Sequence, residues 1–139
     1  MMTWLSAAIG AAALAFGAAP AETPETAPPM VRIAEIEIDP GQLEACKAIL
    51  AEEQEASVRL EPGVLMLHSV ALADDPTKIR LLEVYASRAA YEAHIKAPHF
   101  LKYKTSTEKM VRSLRLLETK PILLCAKSEG RKGGDVLCM

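Results

Sequence analysis

The chain predicts an α+β domain in the order β-α-β-β-α-β, the split βαβ plan of a ferredoxin-like fold. Three observations carry that expectation. Short apolar runs rich in Val, Ile and Leu fall at Val31–Ile38, Val64–Leu72, Ile79–Tyr85 and Arg115–Leu124. Stretches with helical spacing lie between the first and second runs and between the third and fourth. Pro and Gly stand at the junctions, where a chain must turn.

Length and composition bound the answer. At 139 residues, half of them apolar, the chain holds one domain with a proper core. A net charge of −2 argues against a nucleic-acid partner, which would need a basic stripe. Residues 1–21 carry no charged side chain, and Ala19-Pro20-Ala21 supplies small residues where a signal peptidase cuts. They read as an export signal, too short and Ala-rich for a spanning helix, so the mature chain is expected to be periplasmic or secreted and free of the membrane. Residues 22–29 read as a Pro-rich linker, 30–124 as the domain and 125–139 as a loop-like tail.

In the first strand, alternation places Ala34, Ile36 and Ile38 on one face and Val31, Ile33, Glu35 and Glu37 on the other. Asp39-Pro40-Gly41 opens a helix reaching about Arg59, with Leu43, Cys46, Ile49 and Leu50 inward and Glu44, Lys47, Glu52 and Glu53 outward. Glu61-Pro62-Gly63 ends it. Val64–Leu72 is nearly all apolar, as in a strand covered on both faces. The 73–77 loop has hairpin length, so the next strand returns antiparallel beside it. Ser87 is an N-cap residue type, and Pro98 stops or bends the helix begun there. After the break, helical spacing runs through Phe100, Tyr103, Thr107, Met110, Val111 and Leu114. The final strand is expected over 115–124, with Pro121 marking an edge or a bulge.

With both helices on one sheet face, the other is expected to present Val31, Ile33, Leu81 and Tyr85. A second copy of the chain is expected to cover it, leaving a small-molecule cavity between sheet and partner. The chemistry should gather where Lys78–Tyr85 feeds the broken helix, which carries two histidines and a tyrosine.

Glu61-Pro62-Gly63, Asp75-Pro76, Glu83-Val84-Tyr85, Ala90 to His94 and Pro98-His99-Phe100 keep the order and spacing of a known pattern. They resemble the antibiotic biosynthesis monooxygenase domain family, and within it the quinol monooxygenase-like members. The resemblance spans about residues 30–120 and implies a dimeric α+β barrel. It also implies oxidation of a small aromatic substrate, a quinol or phenol, by O2 with neither metal nor flavin. The alternative is a non-catalytic binding or assembly module on the same fold. Haem-degrading relatives of this fold need an axial His on the second helical run, and Leu101-Lys102-Tyr103-Lys104 offers none. HExxH, CxxC, Gly-x-Ser-x-Gly and Gly-rich phosphate motifs are absent, so no metal site is expected.

An anionic phenol can give an electron to O2 unaided, so the protein must desolvate the ring and favour its deprotonation. His99 is either the proton acceptor or a brace for the broken helix. His94 is either a substrate contact or a helix-surface residue. His68 comes opposite Leu82 or Glu83, and a His68–Glu83 pair forms either an acid–base unit or a structural contact. Tyr85, sharing Glu83's face, is either a cavity wall or core, and Phe100 and Tyr103 are lining residues.

Of the three cysteines, Cys46 lies on the apolar helix face and reads as a buried thiol. Cys125 and Cys138 bracket a Gly-rich segment, and an oxidising compartment would pair them as a disulfide.

Overall fold

The computed structural model describes residues 27–127 and 136–139. The expected signal at 1–21, most of the linker at 22–29 and the Gly-rich segment at 128–135 lie outside the described residues. The order is β1 (Met30–Ile38), a 3-10 turn (Pro40–Gln42), α1 (Leu43–Leu60), β2 (Val64–Ala71), β3 (Lys78–Tyr85), α2 (Arg88–His94), α3 (Pro98–Thr107) and β4 (Val111–Glu118). Two short strands complete it, β5 (Cys125–Lys127) and β6 (Val136–Cys138). The main sheet runs β2-β3-β1-β4, antiparallel throughout, which is the ferredoxin-like arrangement. Among the described residues no helix is long and apolar enough to cross a membrane.

Local chemistry sets the boundaries. Asp39 Oδ1 accepts from the Gly41 amide at 2.8 Å, and Pro40 fills the first turn, where its missing N–H costs nothing. The Ser87 hydroxyl accepts from the Ala90 amide at 3.1 Å and caps α2. Pro98 opens α3. The core lies between α1 and the sheet, where Cys46 and Leu50 meet Ala34, Ile36, Ile38, Ile79 and Leu81. Burial raises the Cys46 thiol pKa and keeps it protonated.

Several expectations are corrected. Leu81 and Tyr85 face the helices: Leu81 pairs with Ala34, Tyr85 with Met30, and Tyr85 is 1% exposed. A side chain two residues from Ile79 must share its face, so Leu81 and Tyr85 accompany Ile79 into the core. The opposite face carries Val31, Ile33, Leu82, Val84 and Leu117 by register. β2 is an edge strand, and Leu65 and Val70 are exposed rather than covered.

The final strand begins at Val111, not Arg115, and stops at Glu118. A tight turn closed by Met110 N–H to the Thr107 carbonyl ends α3, and β1 then offers Val111 and its successors a ladder. Met110 and Val111 pack on the core from this turn and strand rather than from a helix face. The tail is a two-stranded ribbon rather than a loop, with Cys125 opposite Cys138 and a disulfide between them.

Candidate active site

The turn that closes α1 builds one side of the site. Glu61 N–H donates to the Ser57 carbonyl, and Pro62 forbids another helical turn. Gly63 then passes so close to α2 that a Cβ there would lie 2.5 Å from Ala90 Cβ. Its carbonyl accepts from the Ala86 amide at 2.9 Å. Only a residue without a side chain lets the turn approach this closely, and the approach brings the Glu61 carboxylate to the helix break.

The break supplies the other side. After His94 the chain tightens, with Lys96 N–H reaching the Ala93 carbonyl and Ala97 N–H the His94 carbonyl, before Pro98 starts α3. His94 at the end of α2 and His99 in the first turn of α3 thereby converge. Glu61 Oε2 accepts from His94 Nδ1 at 2.9 Å and from His99 Nε2 at 2.6 Å. His94 Nε2 lies 3.7 Å from Glu53 Oε1, which also accepts from the Ser57 hydroxyl at 2.6 Å. His94 packs at centroid distances of 5.4 Å from Tyr85 and 4.8 Å from Phe100.

Burial and hydrogen-bond donors set the electrostatics. Burial alone would push the Glu61 carboxyl up, but the two imidazole donors outweigh it and hold Glu61 below its usual value. Burial pushes Glu53 up, and the Ser57 hydroxyl and the imidazoles offset this only in part. Glu83 is likewise raised by burial, against the hydrogen bond it accepts from the Tyr85 hydroxyl at 3.1 Å. The Tyr85 phenol is held far above its ordinary value by burial and by Glu83, and burial pushes Tyr103 up to about 12. Both phenols stay protonated at neutral pH.

Beside this cluster lies a cavity between the sheet and the helices. Leu67, Glu83, Tyr85, Tyr91, His94, Phe100 and Tyr103 line it, with Glu53 and Arg32. The Arg32 guanidinium sits 4.3 Å from the Tyr91 ring centroid and pairs with Glu118. The site is an apolar, aromatic slot with an imidazole, two carboxyls and a guanidinium on its wall.

Of the anticipated residues, the structure places Glu83, Tyr85, His94, Phe100 and Tyr103 on this cavity. His99 stands behind His94, joined to it through Glu61. The expected His68–Glu83 pair does not form. His68 lies opposite Leu82 and Glu83 opposite Leu67, so the period of two puts them on opposite sheet faces.

Sequence reasoning missed Glu53 and Glu61 as site residues. Glu53 is expected on the outer face of α1, yet Cys46, Leu50, Glu53 and Ser57 form one buried stripe. The signal was present: a Glu and a Ser continue the helical spacing of Cys46 and Leu50. Glu61 reads only as helix punctuation, and nothing local shows that its carboxylate meets two histidines more than thirty residues away.

A family model described as antibiotic biosynthesis monooxygenase matches residues 29–106. A crystal structure of an antibiotic biosynthesis monooxygenase family protein from Bacteroides thetaiotaomicron is 50% identical. That alignment covers 68% of this chain and 90% of that one, with a TM-score of 0.67. A family protein from Nitrosomonas europaea is 25% identical over 68% of this chain and 90% of that one, with a TM-score of 0.65. A monooxygenase-family structure from Lactobacillus acidophilus is 30% identical over 63% of this chain but only 42% of its own length, with a TM-score of 0.62. Comparison with curated proteins finds no significant match.

Proposed function

Because this chain belongs to the antibiotic biosynthesis monooxygenase family, we propose that it oxidises a quinol or phenol with O2 in the cavity beside His94. The observation that carries the reading is that Glu61 binds the Nδ1 side of His94 while His94 itself lines an aromatic slot. A carboxylate on one ring nitrogen fixes the tautomer and leaves the other nitrogen, Nε2, to accept a proton. His99 holds Glu61 from behind and is a positioning residue. The cavity supplies the desolvation, and Tyr85, Phe100 and Tyr103 supply flat apolar surface for a ring.

In this scheme the substrate hydroxyl gives its proton to His94, and the resulting anion passes one electron to O2. The superoxide so formed adds to a ring carbon, making a C–O bond. Cleavage of the O–O bond then leaves a ring carbonyl in place of C–H, and the second oxygen departs as water. The substrate supplies every electron, so the step needs no further reductant. Glu83, whose carboxyl burial raises above its ordinary value, lines the same cavity and in its protonated form can donate to an oxygen of the ring or of the adduct. His68 has no part in the scheme.

Oxygen uptake by the purified, metal-stripped protein against a panel of quinols and polyphenols tests the reading. His94→Ala should slow the best substrate by about 10²–10⁴-fold. If the parent consumes no quinol, the non-catalytic binding module takes its place.

The same reading includes a homodimer joined through the outer sheet face and an exported location. The Cys125–Cys138 bridge supports export, because such bonds persist in oxidising compartments. Non-reducing peptide mapping of protein recovered from its host checks this. Alkylation of both cysteines without reductant would count against it.

A further inference from the structure

We propose that Glu61, His94 and His99 form a binding site for one zinc-class divalent cation. Three ligating atoms, His94 Nδ1, His99 Nε2 and a Glu61 carboxylate oxygen, lie within 4.8 Å of one another. The two nitrogen-to-oxygen separations are 2.9 and 2.6 Å. A tetrahedral ion with bonds of about 2.0–2.1 Å separates its ligands by roughly 3.3 Å, so the carboxylate must draw back from each imidazole by less than about 1 Å while the two ring nitrogens turn toward a common centre. The ion would replace the two protons that now bridge each imidazole to the carboxylate.

The surroundings fit this better than chance proximity would. The ligands come from three separate segments, the turn after α1, the end of α2 and the start of α3, so the backbone already fixes their convergence. Pro98 opens α3 directly after the break, and Gly63 pins the turn against Ala90. On the far side of His94, Glu53 Oε1 stands 3.7 Å from Nε2 and is itself held by Ser57. A metal-bound imidazole characteristically directs its second nitrogen to a carboxylate that orients the ring and raises its basicity. Here that outer carboxylate is present and buried.

Two imidazoles and one carboxylate select zinc and similar borderline ions over magnesium or calcium, which take oxygen ligands. Three protein ligands leave a fourth position for water. Binding would also arrest the proton acceptor, since the ion takes Nδ1 and draws His94 out of its pairing with Glu61. That consequence rests on the function proposed above; the binding does not.

The test uses the full chain, stripped with chelator and titrated with Co2+ and then Zn2+. Co2+ should give the visible bands of a four- or five-coordinate N/O site, saturating at one equivalent and abolished by Zn2+. Glu61→Gln and His99→Ala should each weaken Zn2+ binding at least tenfold by calorimetry, while His68→Ala binds as the parent does. Glu61→Gln keeps an acceptor for both imidazoles, so it reports on the site should His99→Ala fail to fold. No saturation at one equivalent, or undiminished binding in Glu61→Gln, overturns the proposal. Stoichiometric binding by a protein that oxidises no quinol leaves this site standing and removes the oxygenase reading. Quinol oxidation without metal binding does the reverse.

Discussion

Glu61 Oε2 and His99 Nε2 stand 2.6 Å apart, joining the turn after α1 to the first turn of α3 across 38 residues. The same oxygen receives His94, so one half-buried carboxylate ties both sides of the helix break. Glu61→Ala would leave two enclosed imidazoles without an acceptor. Each hydrogen bond to a charged group contributes about 1.5–3 kcal/mol, so losing the two should cost about 3–6 kcal/mol in denaturant unfolding. Glu61→Gln, which retains an acceptor, should lose distinctly less. Equal losses in the two variants would show that packing, not hydrogen bonding, holds the break.

Gly63 tests the positioning of the site without touching its chemistry. Its methyl in Gly63→Ala would overlap Ala90 Cβ, which is fixed to the α2 backbone and cannot swing away. Overpacking of this kind costs about 1–3 kcal/mol. Because α2 carries His94, turnover of the best quinol should fall together with the melting temperature. Parental stability and rate in Gly63→Ala would show that the turn does not set His94.

Glu83 gives a pH signature. Burial raises its carboxyl above the ordinary value, outweighing the Tyr85 hydroxyl and the nearby His94 and Arg32 charges. A carboxyl raised on folding favours the native state below its unfolded value, near 4.3, and loses that contribution as pH rises through the raised native value. Glu83→Gln should therefore match the parent near pH 4 and gain on it in melting temperature toward pH 7. A difference that shrinks with rising pH would reverse the sign and place a stabilising partner on Glu83.

The outer sheet face is expected to join two subunits. Leu82 lies opposite both His68 and Ile33 there, in a row that Leu117 continues. Light scattering at micromolar concentration should give the mass of two chains, and Leu82→Glu should halve it while the cavity-facing residues stay in place. A parent of single-chain mass would remove the dimer.

The sequence by itself determined the element order from β1 to β4, because local periods and punctuation dictate it. Ile79 to Tyr85 reads as a strand, Ser87 caps the next helix and Pro98 breaks that helix, each through its own covalent chemistry. Tyr85, Phe100 and Tyr103 line a cavity between sheet and helices, a side of the sheet that local patterns do not specify. Left open by the sequence were the face each residue took and the residues that met. Tyr85 and Leu81 could be referred to the helices only through their register against Met30 and Ala34. The His68–Glu83 pairing failed by one residue of register, which in a strand is a whole face. The junction of Glu61 with His94 and His99 belongs wholly to the tertiary structure. It depends on two backbones touching at Gly63 and Ala90, a contact between segments that no local pattern encodes.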